Sequence, residues 1–364
     1  MKIHLRSQSD GIALLIVMCA IFVLSILAAG LAFSMKVESA LAQSADTNQR
    51  LVWLGRSGVE LSRWVLAQEA TIPGEPYDSL NQIWAGGAGS IGESNSPLVG
   101  ISLNSYQIGE GTVSIKITDL ERYANINTAT APVIQQALTL MGVNANDISV
   151  VSDSIQDWID ADDLPRVAGA ESDYYQGLDP SYYAKNAPID DLSELLHVRG
   201  ILDHAEIYWG GCATNHPGVT FQHKLGFGNS PDENPCYPFG LKDVFTPISI
   251  GYININTADA NVLQLIPGMD ANAAENIIKL RAGPDGVDGT EDDMPFQNIN
   301  QVAAAGVNPQ VVAQLGNFCR TRSFTYEVHV TAQIGVEKRE YIAILFRNPQ
   351  SSAASIQVLS FYWK

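Results

Sequence analysis

The hydrophobic period of this chain changes several times along its length. From Gly11 to Met35 the run GIALLIVMCAIFVLSILAAGLAFSM holds no charge, and Lys36 closes it. At about 1.5 Å per residue such a run crosses a hydrocarbon core about 30 Å thick. Beyond it, Val37, Leu41, Leu51, Val52, Leu54, Val59, Leu61, Trp64 and Val65 recur at helical spacing, with Glu38, Arg50, Arg56, Glu60 and Arg63 between them. This predicts one long helix from Ile12 to about Gln68, stopped by Pro73. Residues 71–97, rich in Gly, Pro, Ser and Asn, read as a loop. Alternation follows in Ile101–Gln107 and Thr112–Thr118 around Gly109-Glu110-Gly111, predicting a β-hairpin. Residues 125–318 read as mostly helical, with an irregular tract over 210–247. Strands return at Thr325–Thr331, Tyr341–Phe346 and Ile356–Tyr362, with Gln333 to Glu340 as a turn. Strands on both sides of a helical block predict an α+β fold, in which a large, mostly helical domain is inserted into a small sheet.

The apolar run is too long for the h-region of a secretory signal, which spans about 7–15 residues, and no clear A-x-A cleavage site follows it. It reads as a retained membrane helix. Lys2 and Arg6 hold the short leader on the cytoplasmic side, which places the bulk of the chain outside.

Composition narrows the function. The 364 residues are 46% hydrophobic, enough for a sizeable core, and carry 39 acidic against 21 basic side chains, a net charge of -18. Phosphate backbones need a basic footprint, so nucleic acid is a poor partner for this chain. The acids are clustered. Asp153, Asp157, Asp160, Asp162, Asp163, Glu171 and Asp173 face a single base, Arg166. Carboxylates crowded on a turn repel unless a hard cation neutralises them, and calcium takes 6–8 oxygens at about 2.3–2.6 Å. A second cluster, Asp285, Asp288, Glu291, Asp292 and Asp293, lies among glycines that permit tight turns. It is not an EF-hand, because Val287 and Thr290 fall where that loop needs a ligand and a glycine. Both clusters are candidate calcium sites; the bland alternative is a solvated acidic surface.

The segment Asn125-Ile-Asn-Thr-Ala129 recurs as Asn254-Ile-Asn-Thr-Ala258, each ahead of a helix, Ala131–Leu140 and Ala260–Leu265. Asn and Thr there are expected to cap helix N–H groups. Asn254–Arg281, with Ile266-Pro-Gly-Met269, resembles a helix-hairpin-helix, a module that often grips DNA backbone. Here Asp270 stands where the phosphate-facing glycine belongs, so a packing role is favoured. Cys212 and Cys236 could close a disulfide loop outside the cytoplasm; with His216 and His223 they could instead hold zinc. Cys19 and Cys319 leave the pairing open. There is no HExxH, G-x-S-x-G or P-loop, and no catalytic constellation.

A short charged leader, Gly11, then an apolar helix resembles the type IV prepilin signal. That resemblance implies cleavage after Gly11 by the prepilin peptidase and methylation of the new amine on Ile12. Most pilins carry glutamate at the fifth mature position, which here is Ile16. The K-type minor pseudopilins of type II secretion lack it as a rule. Two more segments resemble that family. They are Asp119-Leu-Glu-Arg-Tyr-Ala-Asn-Ile-Asn127, and Asp153-Ser-Ile-Gln-Asp-Trp-Ile-Asp-Ala-Asp-Asp163 followed by Gly169-Ala-Glu-Ser-Asp-Tyr-Tyr175, Ala187-Pro-Ile189 and Ser193-Glu-Leu-Leu-His-Val-Arg-Gly200.

The resemblance implies a leader over 1–11, a transmembrane and pilin helix over 12–70, and a pilin-like antiparallel sheet from 71–124 and 321–364. The helical domain is inserted over 125–320. It further implies a non-enzymatic, single-pass inner-membrane subunit with its C-terminal bulk in the periplasm. Its partners would be the I- and J-type minor pseudopilins and the major pseudopilin, and its inserted domain would bind calcium. The rival expectation is a membrane-anchored DNA-uptake protein.

Overall fold

The computed structural model describes residues 10–89, 96–212, 236–348 and 355–364. Helix α1, Asp10–Glu69, is 60 residues long. Its apolar stretch from Ile12 to Met35 is exposed all round, as a lipid-facing segment requires. From Leu51 one face turns inward, and Leu51, Leu54, Val59, Val65 and Leu66 are buried. Gly55 and Gly58 let this half of α1 lie close on a sheet. A Cβ on Gly55 would run into the Tyr341 ring, and one on Gly58 into Val330.

The sheet comprises β1 (Tyr106–Ile108), β2 (Gly111–Asp119), β9 (Thr325–Ile334), β10 (Glu337–Arg347) and β11 (Ile356–Trp363). Their order is β1-β2-β9-β10-β11, antiparallel throughout. Val113, Ile115 and Ile117 of β2 point to α1 and are buried, while Ser114 and Lys116 face away. Two turns are tighter than the sequence suggests. Ile334 pairs with Glu337, so the hairpin closes through Gly335 and Val336, and the expected turn at 333–340 lies largely in strand. Gly335 has φ +58°, which lets two residues reverse the chain. Strand β1 is shorter than expected. Leu103, upstream of it, is buried and accepts the Ile115 N–H from outside the ladder.

The chain leaves the sheet at Asp119 and re-enters it at Thr325 beside β2. Between lie β3 (Ala124–Asn125), α2 (Ala131–Met141), α3 (Ala145–Ile159), α4 (Ser172–Gln176), α5 (Glu206–Trp209), β4 (Gly211–Cys212) and β5 (Cys236–Tyr237). They are followed by β6 (Phe245–Thr246), β7 (Ile253–Asn254), α6 (Ala260–Leu263), α7 (Ala271–Arg281), α8 (Pro309–Leu315) and β8 (Cys319–Arg320). This body has its own core, including Ile126, Leu138, Ile155, Tyr175, Leu263 and Ile277, separate from the core between α1 and the sheet.

The Asn-Ile-Asn-Thr-Ala repeat has a different use from helix capping. Asn125 Oδ1 accepts the Asn127 N–H, and Asn254 Oδ1 accepts the Asn256 N–H, so each copy begins as an Asx turn. The second Asn then grips a distant backbone amide through both side-chain atoms. Asn127 bonds Ile189 N and O at 2.7 and 2.9 Å; Asn256 bonds Phe296 N and O, both at 2.9 Å. Each copy starts from a two-residue parallel pair, β3 with β6 and β7 with β8. The caps come from elsewhere: Asp259 caps α6, and Thr130 precedes α2 without a side-chain bond.

A second regularity went unread in the sequence. Gly142-Val-Asn144, Gly268-Met-Asp270 and Gly306-Val-Asn308 share one design. The Gly has positive φ, the apolar residue is buried, and the Asn or Asp caps the next helix.

Candidate functional site

The first acidic cluster sits where α3 ends. Asp157, facing inward on the last turn of α3, is buried. Its carboxylate accepts the Arg166 N–H at 3.1 Å and meets the Arg166 guanidinium at 3.2 Å. Burial pushes its pKa up to about 6. Arg166 also reaches Asp160 at 3.0 Å, and Asp153 accepts the Ala168 N–H at 3.2 Å. These bonds fold the loop after α3 back over the helix end.

Inside that fold, carboxylate oxygens of Asp160, Asp162 and Glu171 lie within 4.8 Å of one another. Glu171 is buried, and among the described residues neither of its oxygens has a hydrogen-bond partner; Asp160 Oδ1 is buried and, among the same residues, unpartnered too. Burial, then the neighbouring acids Asp157, Asp160, Asp163 and Asp162, push the Glu171 pKa up to about 7. An orphaned carboxylate inside a group of acids is a costly arrangement without a cation, and an all-oxygen donor set suits a hard one. Asn186 was missed in the sequence. Its Nδ2 donates to the Asp162 carbonyl at 2.7 Å, and its Oδ1 is buried without a partner among the described residues. Its φ of +46° shows the backbone bent to place it. Only tertiary folding brings it to the loop, so no local signal marked it.

Other expected ligands stand apart. Asp163 Oδ1 accepts the Ser172 N–H at 3.4 Å, and Asp173 is exposed in the first turn of α4. The second cluster is a self-satisfied loop. Asp285 Oδ1 accepts the Val287 N–H, Asp292 accepts from Asp285 N and Thr290 Oγ1, and Asp293 accepts from Gly289 N and Thr290 N. Asp288 pairs with buried Arg281 at 2.7 Å, and Arg281 Nη1 donates to the Ile255 and Ala258 carbonyls. Asp288 thus anchors the second repeat. Glu291 is exposed. Among the described residues, these five do not converge as the first three do.

The helical body is bolted to the sheet through buried polar groups. Asn254 Nδ2 donates to Ser323 Oγ at 2.7 Å and to the Asp78 carbonyl at 3.0 Å, and Thr257 Oγ1 donates to Asp119 at 2.5 Å. Glu121 accepts the N–H groups of Phe324 and Thr325 at 3.0 and 2.8 Å. Burial raises the pKa of both Asp119 and Glu121; the neighbouring Asp78 raises the first further, and Asp119 raises the second. Arg347, from β10, ties Asp78 to the Leu66 carbonyl at the end of α1.

Of the remaining expectations, Gly11 falls in the first turn of α1 and Ile12 is exposed beyond it. Strand pairing sets Cys212 opposite Cys236; Cys236 is disulfide-bonded, while Cys19 and Cys319 are free. The Cys212 side chain and residues 213–235, with His216 and His223, lie outside the described residues.

A long helix laid on an antiparallel sheet, with a helical body inserted between β2 and β9, defines a pilin-like α+β protein with an elaborated head. Comparison with known proteins specifies it further. The family described as type II secretion system (T2SS), protein K, matches residues 114–206. Type II secretion system protein K of Pseudomonas aeruginosa is 24% identical over 303 residues, 79% of this chain and 77% of that protein. The protein K of Pectobacterium carotovorum is 26% identical over 219 residues, 54% of this chain and 60% of that protein. The fold is similar to a chain of the GspK-GspI-GspJ complex from enterotoxigenic Escherichia coli. The TM-score is 0.60 at 17% identity, over 89% of this chain and 99% of that one. In sequence and in fold the chain is thus similar to the K-type proteins of type II secretion systems.

Proposed function

We propose that this chain caps the pseudopilus of a type II secretion system and primes its assembly, serving export of folded proteins across the outer membrane. The observation that carries this reading is where the helical body sits. It joins the sheet beside the C-terminal end of α1, where Arg347 meets Leu66 and Arg322 meets Ala70, and so lies far from the apolar run. A separate body at the head of the spine suits a subunit that ends the filament. Ile16 supports the same reading, since the position where most pilins carry a glutamate offers no carboxylate to a neighbour's amine.

On this reading the chain is a single-pass inner-membrane protein with its bulk in the periplasm, anchored after cleavage behind Gly11 and methylation of Ile12. Its partners are the I- and J-type minor pseudopilins, then the major pseudopilin. It is a structural subunit rather than an enzyme. Calcium is held by Asp160, Asp162, Glu171 and the Asn186 amide oxygen, where it neutralises crowded carboxylates and locks the loop after α3. DNA binding has no support from the hairpin, because Asp270 occupies the start of α7 and accepts the Ala273 N–H at 2.7 Å.

The test is co-purification of the detergent-solubilised full chain from its own cells. The I- and J-type proteins should come with it, and the mature amino terminus should be methylated Ile12 by mass spectrometry. An intact leader, or a chain that purifies alone, would refute the reading.

A further inference from the structure

The loop from Asp162 to Gly169 displays apolar side chains to water from a backbone that is held still. Leu164 is 76% exposed, Val167 is exposed over its whole surface, and Pro165 between them is exposed too. Their backbone is tied on every side. Leu164 N–H donates to Asp162 Oδ1 at 3.0 Å, and Arg166 N–H donates to buried Asp157 at 3.1 Å. Ala168 N–H donates to Asp153 at 3.2 Å, and the Gly169 carbonyl accepts from Arg199 Nη1 at 2.9 Å. Gly169 lies so close to the Asp157 carboxylate that no Cβ would fit. The conformational entropy of this tip has therefore been lost already in folding. That lost freedom is the main cost an anchor loop would otherwise meet on binding.

The exposed surroundings of the tip are mostly acidic. Asp162, Asp163 and Asp173 are exposed around it. Of the nearby cations, Arg166 is engaged by Asp157 and Asp160, and Arg199 by the Gly169 carbonyl. The chain as a whole carries -18. An anionic bilayer surface would repel such a tip, whereas a basic rim would be drawn to it.

We propose that Leu164, Pro165 and Val167 form a preformed docking knob for a protein partner that offers a shallow apolar pocket rimmed by Lys and Arg. The knob supplies the buried centre of the contact, and the acids supply its polar rim. The bonds that set it are internal to the chain, so the knob stands whether or not a cation occupies the neighbouring acids.

A photo-cross-linking residue placed at Val167 of the full chain, in its own cells, tests this. Val336, isolated and exposed at the β9–β10 turn, is the control position. The expected result is one discrete protein adduct from position 167 and none from 336, with the labelled partner peptide lying beside basic residues. Leu164→Asp should cut the adduct at least ten-fold, and Asp173→Lys several-fold, with an unchanged melting curve for each variant. The proposal is overturned by no adduct, by equal adducts from both positions, by adducts to lipid or within the chain itself, or by an adduct indifferent to both substitutions.

Discussion

Arg347 Nη1 lies 2.8 Å from Asp78 Oδ2, and both side chains are almost fully buried where α1, the sheet and the helical body meet. Asp78 also accepts the Ser323 N–H at 2.9 Å, and Arg347 donates to the Ser323 and Leu66 carbonyls. Removing one partner leaves an uncompensated charge out of water, which costs about 3–5 kcal/mol. Asp78→Asn should therefore lower the melting temperature of the full chain markedly. An exposed pair such as Lys279–Glu275 should be nearly silent when broken. A small shift for Asp78→Asn, measured by circular dichroism, would show that the junction does not depend on this pair.

Cation binding at the loop after α3 should appear as ligand-dependent stability. At a calcium concentration about 100 times its Kd, the folded chain gains about 2.7 kcal/mol, and a chelator removes it. Glu171→Gln retains most of the shape but gives up a charge, so it should abolish the calcium-dependent rise in melting temperature. Asp293→Asn should leave that rise intact, because Asp293 is engaged by Gly289 and Thr290. Equal loss in both variants would move the site.

Close contact of α1 with the sheet should be sensitive to single methyl groups. Gly58→Ala places a Cβ against Val330 in a filled core, where overpacking costs about 1–3 kcal/mol. Gly30→Ala, in the exposed apolar half with nothing nearby, should change the melting temperature little. Comparable effects from the two would mean that α1 does not pack as described.

The buried Asp119 and Glu121 carboxylates should make stability fall as pH rises. Burial raises both pKa values, so the folded chain keeps protons that the unfolded carboxylates release near pH 3.8 for Asp119 and pH 4.5 for Glu121. The folded state then binds more protons than the unfolded state, and stability present below those pH values is lost as the pH climbs toward the folded values. Melting in saturating calcium should be lower at about pH 8 than at about pH 5. The difference should shrink in Glu121→Gln; an unchanged slope there would assign the effect to other groups.

The membrane run, the continuation of its helix and the interruption of the sheet by a helical block were legible because each rests on local periodicity. A charge-free run, a 3.6-residue period and an alternation of two are properties of neighbours in sequence. The acidic loop was legible as a place, since seven acids against Arg166 cannot crowd one turn without consequence. Which of them converge was not. Asp160, Asp162 and Glu171 come together because Arg166 and Asp157 fold the loop back, and Asn186 joins from beyond α4.

The repeat shows the same division. Its identity was visible, but its role was misassigned, because the partners of Asn127 and Asn256 are backbone amides 62 and 40 residues away. The second acidic loop looked like an ion site until Arg281 was seen to take Asp288 and the loop's own N–H groups to take Asp285, Asp292 and Asp293. Sequence determined the elements and the charge, since these depend on residues within a few turns of one another. Tertiary structure decided which carboxylates keep free oxygens and which residues bolt the two bodies together, since those outcomes depend on contacts that only the closed fold brings within hydrogen-bond reach.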